Sequence, residues 1–196
     1  MATAYSAEQF TVLKGLEPVR LRPGMYTRTT CPTHILQEVI DNAADEALAG
    51  HAKHITVTQS EDGSYTIADD GRGIPVGTPP GESRPAAELA FSTLHAGGKF
   101  DKTAKDSAYR FSGGLHGVGV AVTNALSLRL EVEIVTLDPT GDGKSYGRYR
   151  LVFVDGGTLQ EPLTRIANAK RSERGTRSGF GPIHSTSTVQ KSLRKS

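Results

Sequence analysis

Apolar residues recur at helical spacing through the stretch from Thr33 to Ala49. Pro32 stands just before a threonine that can cap a helix, and Gly50 follows the last apolar position. The pattern predicts an amphipathic helix over residues 33–49, with an apolar face made of Ile35, Leu36, Val39, Ile40, Ala43, Ala44, Ala47 and Leu48.

Strand-like patterns occur in two pairs. His54–Gln59 and Ser64–Ala68 are separated by Glu-Asp-Gly at residues 61–63, which is typical of a hairpin turn. Glu131–Val135 and Tyr146–Val154 flank a turn-like segment rich in Pro, Asp and Gly. Two hairpins are therefore predicted.

Two further helices are predicted, over residues 85–95 and 117–126. The first ends before Gly97-Gly98, and the second leaves a glycine-rich loop. Helices that alternate with whole hairpins favour an α+β fold, in which helices cover one face of a sheet.

Charge is distributed unevenly along the 196 residues. The net charge of +2 by itself indicates neither a nucleic-acid nor a membrane partner. Residues 1–164 carry fifteen basic and twenty acidic side chains, a net of −5, whereas residues 165–196 carry eight and one, a net of +7. Because apolar residues are sparse near the end, we expect a domain over residues 1–176. A basic Ser/Thr-rich tail, disordered or not native, would follow over residues 177–196.

The sequence also favours a cytoplasmic protein. Cys31 is the only cysteine, so it forms no disulfide within the chain. No run of eighteen apolar residues occurs, and the first twenty residues contain no long apolar segment. We therefore expect neither an export signal nor a membrane span.

The first candidate for chemistry lies on the helix predicted over residues 33–49. Glu38, Asn42 and Asp45 fall within about 60° of one another on a helical wheel, opposite the apolar face. Asn42 can offer an amide oxygen to Mg²⁺, and Glu38 can accept a proton from a nucleophilic water. A polar face that is merely solvated gives the same pattern.

The second candidate is Asp-Asp-Gly-Arg-Gly-Ile-Pro, from Asp69 to Pro75, directly after a strand-like run. Glycines let a backbone approach a flat ligand, and a fixed carboxylate can accept a hydrogen bond from an exocyclic amine such as adenine N6. An ordinary Asp-Gly turn is the alternative.

The third candidate is the glycine-rich run from Ser112 to Val120, which follows Ala-Gly-Gly-Lys ending at Lys99. Such a loop before a helix can direct N–H groups and the helix dipole toward phosphate, although a flexible connector explains it equally well. The spacing fits neither a P-loop nor a dinucleotide motif. His116 lacks a nearby nucleophile pattern, so we expect it to have a positional role.

Taken together, the three candidates resemble, in order and spacing, the ATP-binding superfamily shared by gyrase, the heat-shock chaperone of that fold, sensor histidine kinases and the mismatch-repair ATPase. Further stretches resemble the B subunits of bacterial type II topoisomerases, namely Val12–Arg20, Arg22–Tyr26, Gln37–Asn42, Asp45–Gly50 and Leu94–Phe100. The run from Thr27 to His34 is more similar to the B subunit of topoisomerase IV than to that of gyrase.

The resemblance implies a Bergerat-type fold, a two-layer sandwich of helices on one face of a mixed, mainly antiparallel sheet. It implies ATP and Mg²⁺ as ligands, with Glu38 as general base, Asn42 as Mg²⁺ ligand, and Asp69 with Thr176 on the adenine. The remaining nucleotide-binding set would be Tyr5 on an N-terminal arm of about fifteen residues, Asp45, Arg72, Gly73, Ile74, Pro75, Lys99, Tyr109, Leu115, His116, Gly117, Val118, Gly119 and Val120.

The implied partners are a second copy of the chain on ATP binding, the A subunit of topoisomerase IV, DNA through the full enzyme, and ATP-site inhibitors of the aminocoumarin type. Since the family takes a γ-phosphate lysine from its second domain, we expect weak or absent turnover for this chain alone. The B subunit of gyrase, or another ATPase of the superfamily, is the alternative within the fold. From another class, the +7 segment allows a noncatalytic nucleic-acid-binding module.

One departure from the family pattern is visible. In the family, an arginine usually follows the strand that comes after Asn-Ala-Leu-Ser, which is residues 124–127 here. When this sequence is matched to the family pattern without a gap, Thr136 occupies that position.

Overall fold

The computed structural model describes residues 12–27, 34–96 and 118–183. Within these ranges the helices are α1 (Glu17–Leu21), α2 (His34–Leu48), α3 (Ala86–Ser92) and α4 (Gly119–Leu126). Short 3-10 turns lie at Pro23–Met25 and Arg171–Glu173. The strands are β1 (Ile55–Gln59), β2 (Tyr65–Asp69), β3 (Ser127–Leu137), β4 (Tyr146–Val154), β5 (Thr158–Ala169) and β6 (Gly175–Ile183).

The six strands form one sheet in the order β1-β2-β6-β3-β4-β5. Every pairing among the described strands is antiparallel. The α+β fold with helices against a sheet is confirmed, but the parallel pairing expected of a mixed sheet does not occur in this part of the chain. The last described strand, β6, lies between β2 and β3. It therefore joins the β1–β2 pair to strands β3, β4 and β5 in a single sheet.

Alternation along β3 and β4 separates the two faces of the sheet. Leu130, Val132 and Ile134 on β3 belong to the main core with Leu151 and Phe153 on β4. The intervening arginines and glutamates pair with one another on the opposite face. One face is therefore covered and the other is charged, as expected for an antiparallel sheet.

Helices α2 and α3 pack on the covered face. Leu36, Val39 and Ala43 of α2 and Phe91 of α3 lie in the main core. A second cluster joins α1, the start of α2 and α4, through Leu16, Val19, Ile35, Ala121, Val122, Ala125 and Leu126. Because α2 contributes to both clusters, its polar face is held in a fixed orientation over the sheet.

The tail predicted from residue 177 onward is wrong for residues 177–183. They belong to β6, where Phe180 pairs with Tyr65 of β2 and with Leu130 of β3. The run alternates weakly in hydrophobicity, but Ser178 and Phe180 are both buried, and strands on both sides supply backbone hydrogen bonds. Small residues are tolerated where the neighbours provide the contacts. Residues 184–196 lie outside the described part, and their nature stays a prediction.

Strand β5 has no counterpart among the predicted elements. Its side chains are mostly exposed, and its pairing with β4 is interrupted by register shifts. An edge strand of this kind has no apolar period to reveal it. The predicted hairpins and helices are present with adjusted ends. The helices run over residues 34–48, 86–92 and 119–126, and β3 extends beyond both predicted ends to residues 127–137.

Among the described residues, no helix has both the length and the apolar character needed to cross a membrane.

Candidate active site

A cavity of about 720 Å³ lies between α2 and the sheet. Its volume is in the range of small-molecule sites. Ten of the residues singled out from the sequence line it, namely Glu38, Asn42, Asp69, Arg72, Gly73, Ile74, Pro75, Gly119, Val120 and Thr176. Residues up to 140 positions apart in the chain, from Glu38 to Ser178, thus contribute to one concave surface.

The polar face of α2 forms one wall of the cavity. Glu38, Asn42 and Glu46 line it at intervals of four residues, which places them on successive turns. Asp45 does not line it, and its side chain is only 5% exposed. The predicted face was therefore wrong for Asp45 and omitted Glu46, and Asp41 also lines the cavity, because the packing of α2 rather than its hydrophobic period decides which side chains face it.

The start of α4 meets α2 at Glu38. A methyl group placed on Gly119 would overlap the Glu38 carboxylate. Only glycine leaves room for the backbone to come this close, so Gly119 fixes the distance between the glycine-rich segment and the carboxylate.

Asp69 ends β2 and lines the cavity. It pairs with Thr176 of β6, and its Oδ1 accepts a hydrogen bond of 2.9 Å from the N–H of Gly71. Burial raises the pKa of Asp69 to about 6, opposed by the Gly71 hydrogen bond and reinforced by the negative charge of Glu46. The carboxylate is thus costly to ionise and has free acceptor capacity directed into a cavity.

The surroundings of Asp69 are closely packed. Gly175 has φ +140°, and a methyl group there would overlap the carbonyl oxygen of Asp69. Arg174 donates from Nη2 to the His51 carbonyl (3.0 Å) and from Nε to the Asp70 carbonyl (3.4 Å). The start of β6, the end of β2 and the segment after α2 are thereby joined beneath the cavity.

Arg72 is held by two elements on opposite sides. Its guanidinium donates to Glu46 from Nη2 (2.8 Å) and Nε (3.1 Å), and its backbone N–H donates to Glu46 Oε2 (3.1 Å). Its carbonyl accepts a hydrogen bond of 3.0 Å from Thr136 Oγ1 on β3. The four-residue spacing of Glu38, Asn42 and Glu46 was the sequence signal that could have revealed Glu46.

Gly73 turns the chain into the floor of the cavity. Its φ is +77°, and a methyl group there would lie 2.8 Å from the Val135 carbonyl oxygen. Ile74 and Pro75 follow and line the cavity. The segment from Gly71 to Pro75 is therefore more than an ordinary surface turn, since its backbone packs against β3.

The sequence of residues 29–177 matches the family described as histidine kinase-, DNA gyrase B- and HSP90-like ATPases. The chain belongs to this ATPase family. The match includes α2, the turn after β2 and the Thr176 position, which are the segments that meet at the cavity.

Two curated relatives illustrate the similarity. The chain is 48% identical over 182 residues to the B subunit of DNA topoisomerase 4 from Pseudomonas aeruginosa, covering 93% of this chain and 27% of that protein. It is 47% identical over 182 residues to the B subunit of DNA gyrase from Thermus thermophilus, covering 91% and 27%. The chain thus spans about a quarter of the length of these relatives.

Two solved structures of the family share the fold. One is the topoisomerase IV ATP-binding domain of Francisella tularensis in complex with a small-molecule inhibitor, with a TM-score of 0.68 and 40% identity, covering 93% of this chain and 47% of that one. The other is the 43K ATPase domain of Thermus thermophilus gyrase B in complex with an aminocoumarin, with a TM-score of 0.67 and 37% identity, covering 92% and 44%.

Some predicted site residues lie outside the described residues, namely Tyr5, Lys99, Tyr109, Leu115, His116 and Gly117. Val118 precedes α4 and packs against the second apolar cluster, and it does not line the cavity. In the described ranges no group of three or more His, Cys, Asp or Glu side chains could hold a metal ion.

Proposed function

We propose that this chain is the ATP-binding and ATP-hydrolysing domain of a type II DNA topoisomerase, of the kind found in the B subunit of topoisomerase IV. The observation that carries the proposal is the partly buried Asp69 carboxylate beside Thr176, in a cavity that Glu38 and Asn42 also line from α2. One carboxylate that can recognise a base and another that can accept a proton from water, in the same cavity, are what nucleotide hydrolysis needs.

Base recognition follows from the acceptor capacity of Asp69. An ionised carboxylate accepts a hydrogen bond from the N6 amine of adenine, whereas guanine has the O6 carbonyl at the corresponding position. With guanine bound, the Asp69 carboxylate and the O6 carbonyl would both be acceptors. The carboxylate would then lack a hydrogen-bond partner on the base, which costs about 1–3 kcal/mol of binding free energy. We therefore expect ATP to bind at least about tenfold more tightly than GTP.

Hydrolysis follows from the position of Glu38. Its carboxylate accepts a proton from water, the resulting hydroxide oxygen forms a bond to the γ-phosphorus, and the bond from phosphorus to the β–γ bridging oxygen breaks to release ADP and phosphate. Gly119 holds the following helix against this carboxylate. From its sequence, we expect the glycine-rich run before Gly119 to offer N–H donors to phosphate oxygens.

Asn42 is the proposed Mg²⁺ ligand. Its amide oxygen lines the cavity one turn after Glu38, and Mg²⁺ is normally held by one or two protein oxygens together with phosphates and water. The residues fit this role because one amide oxygen in an open cavity leaves most coordination positions to the substrate. When bound, the ion would neutralise charge on the phosphates.

The partners are proposed from the similarity of the chain to the B subunits of type II topoisomerases. ATP binding would join two copies of the domain through the N-terminal arm bearing Tyr5, and in the whole enzyme this dimerisation would close a gate on DNA. The other proposed partners are the A subunit of topoisomerase IV and aminocoumarin-type inhibitors, which would bind at the ATP site. Alone, the chain would turn over ATP weakly or not at all, because a lysine for the γ-phosphate would come from a following domain.

The test is a calorimetric titration with an ATP analogue whose β–γ bridging oxygen is replaced by NH, with and without Mg²⁺. We expect Mg²⁺-dependent binding, a shift toward dimer in analytical ultracentrifugation, and at least about tenfold weaker binding of the GTP counterpart. Equal affinities for the two analogues would reject the assignment of Asp69, and absence of binding would reject the function.

A further inference from the structure

Glu46 has no role in the chemistry proposed above, although it lines the cavity one turn after Asn42. Its carboxylate accepts three hydrogen bonds from Arg72, of 2.8 Å and 3.1 Å from the guanidinium and 3.1 Å from the backbone N–H. The fork geometry fixes both the side chain and the backbone of Arg72 against α2. Thr136 holds the Arg72 carbonyl from the other side, so Arg72 cannot move away alone.

Gly71 brings Glu46 close to Asp69. A methyl group on Gly71 would lie 2.7 Å from Asp69 Oδ1 and 3.0 Å from Glu46 Oε2. Both carboxylates therefore approach the space that a side chain on Gly71 would fill. Only a residue without a side chain leaves room for the two carboxylates to come this close.

The two carboxylates titrate differently. Burial alone would raise the pKa of Glu46, but the side-chain and backbone hydrogen bonds from Arg72 and its charge outweigh burial, so the pKa of Glu46 is lowered. The pKa of Asp69 is raised instead, chiefly through burial and in part through the charge of Glu46. Glu46 therefore stays ionised while Asp69 gains a proton.

Other charged groups also face Asp69 or its turn. On α2 these are Glu38 and Asp41, which line the same cavity, and on the turn they are Asp70 and Arg72. Asp70 is already bonded to His54 and to the Lys53 backbone. From β6 the neighbours are Thr176 and Arg174, whose guanidinium is held by carbonyl oxygens.

We propose that Glu46 is a positioning residue that determines base specificity, because it fixes Arg72 on the cavity wall and places a second negative charge close to Asp69, beside Gly71. The inference rests on the proposed nucleotide site. Once protonated, Asp69 offers a donor in place of an acceptor, and a donor suits the O6 carbonyl of guanine. The preference for adenine therefore falls as pH decreases toward 6, and Glu46 raises the pH at which it falls.

The first experiment needs no nucleotide. The carboxyl ¹³C signal of Asp69, assigned with Asp69→Asn, is titrated in the ligand-free chain and in Glu46→Gln. We expect a midpoint near 6 in the parent. In Glu46→Gln we expect a midpoint lower by roughly half a unit or more, since a neighbouring negative charge is removed and Arg72 is less neutralised.

Glu133→Gln is the matched control, because Glu133 also pairs with an arginine, Arg148, but on the other face of the sheet. It should leave the Asp69 midpoint unchanged. An unchanged midpoint in Glu46→Gln, or an equal change in Glu133→Gln, would overturn the coupling. Since no ligand is present, this result stands even if the proposed nucleotide binding fails.

The second experiment measures the affinity ratio for the ATP and GTP analogues from pH 5 to pH 8. In Glu46→Gln the preference for the ATP analogue should persist to lower pH. Near the midpoint of the Asp69 titration, the ratio of the two affinities should be about threefold higher than in the parent. Glu46→Asp keeps the charge but shortens the reach to Arg72, so it should weaken both analogues and leave the Asp69 midpoint near 6. If the parent binds neither analogue, the proposed function fails. If it binds and neither variant changes the ratio or the affinity, the role of Glu46 fails.

Discussion

The two faces of the central sheet carry the same kinds of charged side chains in different surroundings. On the outer face, glutamates and arginines of β3 and β4 form ion pairs, joining Arg129 and Arg150 to Glu131 and Arg148 to Glu133. On the cavity face, Glu46 pairs with Arg72 while Asp69 and Glu38 face the cavity. The outer pairs are partly exposed and satisfy one another.

The difference shows how surroundings, rather than residue type, assign roles. Partly exposed pairs contribute about 0–1 kcal/mol each because water screens them and ordering long side chains costs entropy. On the cavity face, burial raises the pKa of Asp69 to about 6, and packed glycines hold its neighbours in place. Loss of a charge should therefore matter most at the cavity and least on the outer face.

The largest expected effect is at Glu38. In a longer protein that carries this domain and hydrolyses ATP, Glu38→Gln should lower the single-turnover rate by about 10²–10⁴, because a positioned base is lost. Affinity for the ATP analogue should stay within about threefold, since glutamine keeps the shape. Retention of more than a tenth of the parent rate would remove Glu38 from the mechanism.

The second effect concerns stability at Asp69. Because its pKa is raised from 3.8 to about 6, the native state binds the proton more tightly than the unfolded state. Stability of the parent should therefore fall as pH rises from about 4 through 6. Asp69→Asn should remove this loss and stabilise the ligand-free chain at pH 8 by about 1–3 kcal/mol in urea unfolding.

The same substitution should weaken the ATP analogue, so fold and function respond in opposite directions at this residue. Equal stability of parent and Asp69→Asn across pH 4–8 would mean that burial imposes no cost on the carboxylate. The comparison of the two faces would then lose its basis.

A smaller effect is expected at Thr136. Thr136→Val keeps the shape of the side chain but removes the hydrogen bond to the Arg72 carbonyl. We expect a loss of about 0.5–1.5 kcal/mol in the free energy of unfolding, with a few-fold weaker binding of the ATP analogue. Thr136→Ser, which keeps the hydroxyl, serves as the control and should retain most of the affinity.

The smallest effect is expected on the outer face. Glu133→Gln should change the free energy of unfolding by less than about 1 kcal/mol, and less still at high salt. Affinity for the ATP analogue should equal that of the parent. A cost comparable to the Asp69 effect would show that the outer ion pairs act as a network with more than pairwise strength.

Local signals sufficed for the parts of the site that lie within one element. The apolar period of α2 predicted the helix and placed Glu38 and Asn42 on its polar side, and the Asp-Gly-Arg-Gly run marked the turn after β2. Asp45 and Glu46 could not be assigned correctly in this way, because the helical wheel places Asp45 within the polar face and Glu46 at its border with the apolar face. Only the packing of α2 on the sheet and on α4 decides which of them faces the cavity.

Strand β6 shows the opposite case. Its residues carry a weak pattern, since Arg-Ser-Gly-Phe-Gly-Pro reads as a loop or a tail. Its place is set by β2 and β3, which leave a gap that one extended segment fills with hydrogen bonds on both sides. Contacts between segments more than a hundred residues apart leave no local trace.

The sequence by itself determined three of the four described helices, the two hairpins and the residue types available for nucleotide chemistry, because periodicity and turn residues act over a few neighbours. The tertiary structure alone decided that Thr176 pairs with Asp69, that Glu46 rather than Asp45 faces the cavity, and that two carboxylates come close together beside Gly71. The physical reason is that the burial and electrostatic coupling that set the Asp69 pKa depend on packing between distant segments.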